Sequence, residues 1–317
     1  MPKDFFLLQN YVNKAFESHS YIDHEKISRK FMNMLSEDFD DERFENLLKF
    51  AGYIPDLYPN DSSEEVLYSK LVESLVCEWS RRMGYSAELI KQKSSMEDVK
   101  IIIDNKVIVC DAKSFRLGRS QQAPNAKDFL KLEDVRKWMD RYKNAIGGLV
   151  TYPDTHEWKS GSDIYQYCST KEVPTVMLPY KYLAYILNNR DRFNPSDLLE
   201  LWDYDEIFPG KLPKNMEGGN KAAYWKRINK AILRITRTDE RYFSGYMQKA
   251  DELIRECIAA NLEMLENLRK DIIRDIKKAI AAENDIEKLK KDIIEYRTKT
   301  ETDSYDKLIK RIKNFRL

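Results

Sequence analysis

Residues 98–113 read Asp-Val-Lys-Ile-Ile-Ile-Asp-Asn-Lys-Val-Ile-Val-Cys-Asp-Ala-Lys, and the fold that we expect is built outward from them. Two β-branched runs flank Asp104 and Asn105, a pair typical of the tight two-residue turn of a β-hairpin. If these two residues form the turn, the residues on either side of them pair with each other. Counting outward from that pair places Asp98 directly opposite Asp111.

The charged ends of this hairpin need an explanation. Directly opposed residues lie ~5 Å apart on one face of a sheet, so the carboxylates of Asp98 and Asp111 should repel each other. A divalent cation with oxygen ligands is the simplest explanation. Lys113 follows Asp111 by two residues and therefore projects from the same face, ~6.6 Å further along the strand. This arrangement is typical of a metal-dependent phosphodiesterase; the alternative is a solvated hairpin end where Lys113 only pairs with Asp111.

The pattern Asp-x-Lys is weak by itself, because it occurs four times in the sequence. A resemblance adds to it. Residues 111–119, Asp-Ala-Lys-Ser-Phe-Arg-Leu-Gly-Arg, and 125–129, Asn-Ala-Lys-Asp-Phe, closely resemble the active-site segment of the HindIII-type restriction endonucleases. The likeness spans roughly residues 45–205 and is densest near the lysine. The other segments that resemble the family are 52–55, 62–70 and 199–202.

That family belongs to the PD-(D/E)xK nucleases, and the chain departs from their pattern in two places. Glu97 stands before Asp98 where the name of the superfamily has a proline. Extra residues separate Arg119 from Asn125 relative to the family, so the HindIII recognition sequence does not simply transfer to this chain.

The resemblance implies a type II restriction endonuclease that cuts both strands of a short palindromic DNA sequence. It implies Mg²⁺ as the cofactor, with Mn²⁺ as a substitute, and a cognate DNA methyltransferase in the same restriction-modification system. A homodimer is expected because two active sites related by a two-fold axis match a palindrome. The alternatives are a structure-specific or nicking repair nuclease of the same fold, and a catalytically inactive DNA-binding protein.

The site residues follow from the hairpin and from the resemblance together. Asp98, Asp111 and Lys113 are the predicted catalytic residues, and the two aspartates would hold the metal ion with the Ala112 carbonyl. Glu65 has two interpretations. As the third residue after a serine it fits a helix capping box. In PD-(D/E)xK nucleases a helix of this kind often supplies a further acidic group near the metal.

The segment after the hairpin supplies the candidates for DNA binding. From residue 113 to residue 143 there are nine Lys or Arg against four Asp or Glu, a surplus that suits phosphate contacts. Arginine bridges guanine and asparagine bridges adenine in the major groove. Asn125 matches a family position implicated in base recognition, and Asp128 is either a helix N-cap or a partner that orients Lys113 or Asn125. The predicted DNA-binding residues are Arg116, Arg119, Asn125, Lys127 and Asp128.

Composition excludes several classes of protein. The 317 residues are 42% hydrophobic and 34% charged, which supports a real core with much helical surface. No apolar run approaches the ~20 residues of a membrane span, and the N-terminus lacks a signal-peptide pattern. The four cysteines lack metal-site or disulfide spacing, and three histidines make a His-rich zinc site improbable. We therefore expect free thiols in a cytoplasmic protein.

The sequence predicts an α/β fold with a mixed β-sheet of four to five strands flanked by helices, as in restriction endonucleases, and a mostly helical C-terminal region. Residues 1–60 read as a helical N-terminal region, 61–210 as the nuclease core, and 211–317 as helices for dimerisation or DNA contact. Helix breaks are expected near residues 282–285 and 298–304. The alternative for the last region is simply a solvated helical surface.

Overall fold

The chain forms two compact units, of which one ends at Cys257 and the other begins at Ile258. This division lies beyond the predicted boundary at residue 210, because the helix Gly219–Thr236 and the start of the helix Glu240–Ala282 belong to the first unit. The predicted functional roles of the three regions stay predictions. The computed structural model describes residues 4–18, 22–90, 96–116, 129–153, 165, 168–208 and 219–313.

Four helices precede the sheet, and side-chain caps set where three of them begin. Asp23, Asp40 and Ser62 each accept a hydrogen bond from the backbone N–H three residues ahead, which satisfies a donor that the first helical turn leaves free. The N-terminal region is therefore helical, as predicted. The helices are α1 (Leu7–Ser18), α2 (His24–Asp38), α3 (Asp41–Lys49) and α4 (Ser63–Arg82).

The central sheet is mixed and has five strands, in the order β2-β3-β4-β6-β7. Its first two pairings are antiparallel and its last two are parallel. Two further strands, β1 and β5, form a small parallel sheet beside it. The α/β fold predicted from the sequence is thus confirmed. The strands are β1 (Tyr53–Ile54), β2 (Ser86–Leu89), β3 (Val99–Ile103), β4 (Lys106–Ala112), β5 (Phe115–Arg116), β6 (Ala145–Tyr152) and β7 (Thr175–Pro179).

The hairpin of β3 and β4 has the register that was expected from its turn. Asp104 and Asn105 have φ values of 45° and 62°, the left-handed conformation that a type I′ turn requires at both central positions. Ile103 pairs with Lys106 at the turn, and the pairing continues outward to Val99 and Cys110.

The remaining helices of the first unit cover the sheet. The helix that follows the hairpin, α5, spans Leu132–Met139. Later in the chain come a 3-10 helix, Pro195–Trp202, and a short α-helix after it. Trp202 of that 3-10 helix donates from its indole nitrogen to the carbonyl of Gly148 in β6. The other helices are α6 (Tyr180–Asn188), α7 (Tyr204–Ile207) and α8 (Gly219–Thr236).

Two long helices end the chain, α9 (Glu240–Ala282) and α10 (Ile286–Lys313). The predicted break at residues 282–285 is present. The second predicted break, at residues 298–304, is wrong, because α10 continues through it. That stretch is rich in Thr, Ser and Asp, which are only mildly unfavourable in a helix, and it contains neither Pro nor Gly.

The cysteines behave as their spacing suggested. Cys77, Cys110, Cys168 and Cys257 are all buried and free. Burial raises the pKa of the Cys77 thiol to about 11, so this thiol is neutral at ordinary pH. Within the part of the chain that the structure describes, no helix is both long enough and apolar enough to cross a bilayer.

Candidate active site

The hairpin brings Asp98 and Asp111 to the same end of the sheet. Asp98 lies one residue before β3, where the paired register of the hairpin ends with Val99 opposite Cys110, and its backbone N–H donates to the carbonyl of Cys110 over 2.9 Å. The two aspartates therefore lie at the same end of the hairpin, and their direct pairing stays a prediction. The Asp98 carboxylate accepts a hydrogen bond of 2.9 Å from the backbone N–H of Ala112.

Lys113 joins the aspartates directly after β4. Its amine lies 2.7 Å from the carboxylate of Asp111, and both side chains are mostly shielded from solvent. Burial pushes the pKa of Lys113 down, but the adjacent Asp111 carboxylate more than offsets it, so the pKa lies above its ordinary value. The lysine is therefore protonated in this structure.

Helix α4 adds an acid that the sequence analysis missed. Glu73 is 5% exposed, and its carboxyl group is in hydrogen-bonding contact with that of Asp98. Burial raises the pKa of both groups, and their mutual repulsion, together with the charge of Asp111, raises the pKa of Asp98 further. Lys70, one turn earlier in the helix, pairs with the Glu73 carboxylate. Three carboxyl groups thus meet at the mouth of the hairpin.

A signal for Glu73 exists in the sequence. It stands among Leu71, Val72, Leu75 and Val76, and an acid within an apolar helical run needs a partner. Glu78 in the same helix carries the same signal, but it pairs with Arg82. The sequence alone does not distinguish the two. A cavity of about 490 Å³ between α2, α4 and β2 is lined in part by Lys70 and Glu73.

The donor set suits a hard divalent cation. Asp98, Asp111 and Glu73 carry three negative charges when ionised, against the two positive charges of Lys70 and Lys113. The surplus is negative, and carboxylate oxygens are the ligands that Mg²⁺ and Mn²⁺ take in proteins. Among the described residues, no group of three or more acidic, histidine or cysteine side chains has metal-binding geometry. In this structure each of the three carboxylates bonds to an amine or to a backbone N–H.

Glu97, which replaces the proline of the superfamily pattern, points away from this cluster. It is 2% exposed, accepts a hydrogen bond of 3.1 Å from Arg141, and bonds to the hydroxyl of Tyr142. It therefore fastens the start of β3 to the end of the α5 region. Asp98 keeps the position that the pattern assigns to the first acid.

Glu65 and Arg116 hold a loop together. The Glu65 carboxylate accepts from the backbone N–H of Asp61 and from Arg116, over 2.8 Å in each case, and its own N–H donates to Ser62. The serine cap is present, but the Glu65 carboxylate accepts from the N–H of Asp61 and not from that of Ser62, as a full capping box would require. The metal-site interpretation of Glu65 is not supported, because a guanidinium neutralises its carboxylate; Glu73 is the helix acid that meets Asp98.

Arg116 also departs from its predicted role. Its guanidinium donates to the carbonyls of Pro55, Tyr58 and Pro59 at 3.2, 2.7 and 3.2 Å, besides its bond to Glu65. These partners commit the guanidinium to the protein backbone, so base reading by Arg116 is not supported. The other predicted DNA-binding residues, Arg119, Asn125, Lys127 and Asp128, lie outside the described residues.

The comparison with protein families agrees with this geometry. A family model described as the HindIII restriction endonuclease matches residues 21–297, which is most of the chain and extends well past the likeness seen near Lys113. No protein of curated function matches the chain. The family match and the cluster of acids with a lysine at the end of a hairpin both indicate a nuclease of this family. The chain belongs to the HindIII restriction endonuclease family and is a type II site-specific deoxyribonuclease.

Proposed function

We propose that this enzyme cuts both strands of a short palindromic DNA sequence in a reaction that needs Mg²⁺, for which Mn²⁺ substitutes. The observation that supports the proposal most strongly is the placement of Asp98, Asp111 and Lys113 on one end of the hairpin, with a 2.7 Å contact between the last two. The buried surplus of negative charge there favours a divalent cation. The neighbouring amine favours an anionic substrate.

Three carboxylates and one backbone group are the proposed holders of the cation. Asp111 stands on β4, Asp98 directly precedes β3, Glu73 reaches them from α4, and the Ala112 carbonyl is the further candidate. When bound, a divalent cation supplies positive charge to phosphate oxygens and lowers the pKa of a coordinated water. Lys70 holds Glu73 in place from the side of the cavity.

Lys113 acts as a fixed positive charge in this proposal. Because Asp111 keeps its amine protonated, Lys113 donates hydrogen bonds to the scissile phosphate or to the attacking water. Phosphodiester attack builds negative charge on the oxygens around phosphorus, and a preorganised cation at that point stabilises the transition state. Asp111 orients the amine toward the site.

DNA recognition and assembly complete the proposal. Arg119, Asn125 and Lys127 remain the proposed DNA contacts, and Asp128 a proposed helix cap or orienting residue. The enzyme acts in the cytoplasm as a homodimer, because one site per chain cuts one strand and a two-fold axis matches a palindrome. A cognate methyltransferase would modify the same sequence in the host DNA.

The experiment that tests this function is digestion of a plasmid of known sequence with Mg²⁺, with Mn²⁺ and with a chelator. We expect discrete fragments with either metal ion, none with the chelator, and mapped ends that share one palindromic sequence. Cutting confined to forks or mismatches would contradict the proposal in favour of a repair nuclease. Equal cutting in the chelator would contradict the role of the cation.

A further inference from the structure

The hydrogen-bond ladder between β4 and β6 is interrupted at Lys113, and the sequence makes this interruption unavoidable. Strands β4 and β6 run parallel, with Asp111 opposite Val150 and Ala112 opposite Thr151. Lys113 extends this ladder by one bond, because its N–H donates to the Thr151 carbonyl over 2.8 Å. In a parallel ladder the next bond would run from the N–H of residue 153 to the carbonyl of Lys113.

Residue 153 is a proline, and proline has no N–H to donate. A backbone carbonyl away from water needs a donor from elsewhere. The hydroxyl of Tyr180 supplies it, over 2.8 Å to the Lys113 oxygen. Tyr180 is 1% exposed and is the first residue of α6, directly after β7. A side chain from another element thus fills the place that Pro153 leaves empty.

Gly52 lies close to the Lys113 carbonyl on its other side. Its own carbonyl accepts from the N–H of Phe115, two residues after the lysine. Its φ is +83°, and a Cβ placed on it would lie 2.7 Å from the ring of Tyr180 and 2.8 Å from Pro153. The same Cβ would be 3.1 Å from the Lys113 oxygen. Only glycine tolerates both this conformation and this space.

We propose that Tyr180, with the room that Gly52 leaves for it, is a positioning residue for the catalytic lysine. The inference rests on the proposed role of Lys113. Thr151 fixes the lysine backbone on one side and the Tyr180 hydroxyl fixes it on the other. Loss of the hydroxyl frees the peptide after Lys113 to rotate, and the amine then leaves its place beside Asp111. A misplacement of about 1 Å can slow catalysis by ~100-fold.

The test is Tyr180→Phe, measured by single-turnover cleavage of the plasmid at a mapped site, with the protein in excess. We expect the rate at saturating protein to fall about tenfold to a hundredfold, while the protein concentration that gives half-saturation stays within about twofold of wild type. Gly52→Ala should lower the saturating rate in the same way, because its Cβ displaces the Tyr180 ring.

Tyr224→Phe is the matched control. The Tyr224 hydroxyl is equally buried and bonds to the backbone of Met177 in β7, donating to the carbonyl and accepting from the N–H at 2.9 and 3.0 Å. The Tyr224→Phe variant loses one buried hydroxyl that bonds to the same sheet, at a position far from Lys113 in the sequence. We expect a loss of melting temperature in both tyrosine variants, but a loss of saturating rate only in Tyr180→Phe.

A second variant separates the hydrogen bond from the rest of the side chain. Adding Pro153→Ala to Tyr180→Phe restores a backbone N–H at the position that the ladder requires, and we expect it to recover most of the lost rate. A wild-type rate in Tyr180→Phe, or an equal loss in Tyr224→Phe, would overturn the inference. No recovery in the double variant would overturn it as well. If Lys113→Ala also cut normally, the proposed function itself would fail instead.

Discussion

The ionised form of Asp98 lies in surroundings that disfavour it. Its neighbours include the carboxyl groups of Glu73 and Asp111, and burial and repulsion together raise its pKa well above the ordinary value. Within the hairpin, the group that stabilises it is the N–H of Ala112. Selection for stability alone would not place an acid at this position. The free-energy cost of an ionised carboxylate here is best explained by a positively charged ligand.

The substitution Asp98→Asn measures the free-energy cost of this buried carboxylate. The amide keeps an oxygen that can accept from Ala112 and removes the charge, so we expect the metal-free protein to gain about 1–3 kcal/mol of unfolding free energy. Thermal unfolding in a chelator measures the gain. Adding Mg²⁺ should raise the melting temperature of the wild type but not of the variant, and cleavage should be lost. A variant less stable than wild type in the chelator would count against the account.

Sequence patterns predicted the site residues of the hairpin, but not the residues that contact them from other elements. The period of two along a strand and the Asp104-Asn105 turn sufficed to align Asp98, Asp111 and Lys113. Glu73 was missed because its meeting with Asp98 depends on how a helix packs on the sheet. The partners of Arg116 were missed because a sequence shows that a side chain can donate, not which acceptor takes the hydrogen bond.

At the scale of the element, one loop supports the end of the catalytic strand. The segment between β1 and α4 is held by Arg116, whose guanidinium bonds to three of its carbonyls and to Glu65. Because Arg116 is in β5, which pairs with β1, the same contacts fix the chain three residues beyond Lys113. The loop is therefore part of the support for the site.

Arg116→Ala distinguishes this support from base recognition. We expect the variant to lose ~1–2 kcal/mol of unfolding free energy, because several partly buried acceptors lose their donor, while the mapped cleavage sequence stays the same. Denaturant unfolding and end mapping measure the two quantities. Arg234→Ala is the control, since its ion pair with Glu200 is about half exposed and should contribute little. A changed cleavage sequence would restore the base-reading role.

Most elements were predictable where local pattern and packing agree. The two hairpin strands were predicted from their β-branched runs, and the start of α4 was indicated by the serine cap three residues before Glu65. Strand β2, Ser-Ala-Glu-Leu, has no β-branched residue, and it is a strand because it pairs with β3. The uninterrupted course of α10 was missed because Thr and Ser disfavour a helix less than Pro or Gly would.

At the scale of the whole molecule, the second unit has an apolar surface of its own. Large aliphatic side chains of α9 recur at helical spacing, and Ile272, Ile276 and Ile280 are 60%, 53% and 55% exposed. Monomeric proteins rarely leave such a row uncovered. In the proposed homodimer, the same surface of a second copy would cover this row of side chains.

Replacing Ile272 and Ile276 with glutamate tests that assembly. Two charges in a shared apolar surface are costly to bury, so we expect the dissociation constant of the dimer to rise about 100-fold or more, as measured by sedimentation at several concentrations. Lys270→Gln with Lys278→Gln makes the same change in net charge on the opposite side of α9 and should leave it unaltered. Equal assembly in both double variants would place the dimer contact elsewhere.

Lys113→Ala is the most direct test of the active site. The measurement is the single-turnover cleavage rate of a plasmid with Mg²⁺, together with the affinity for the same DNA in Ca²⁺, where binding is read without cutting. We expect the rate to fall about 1,000-fold or more, because the negative charge of the transition state loses a fixed cation, while the affinity stays within about threefold of wild type. Cleavage near the wild-type rate would contradict this expectation.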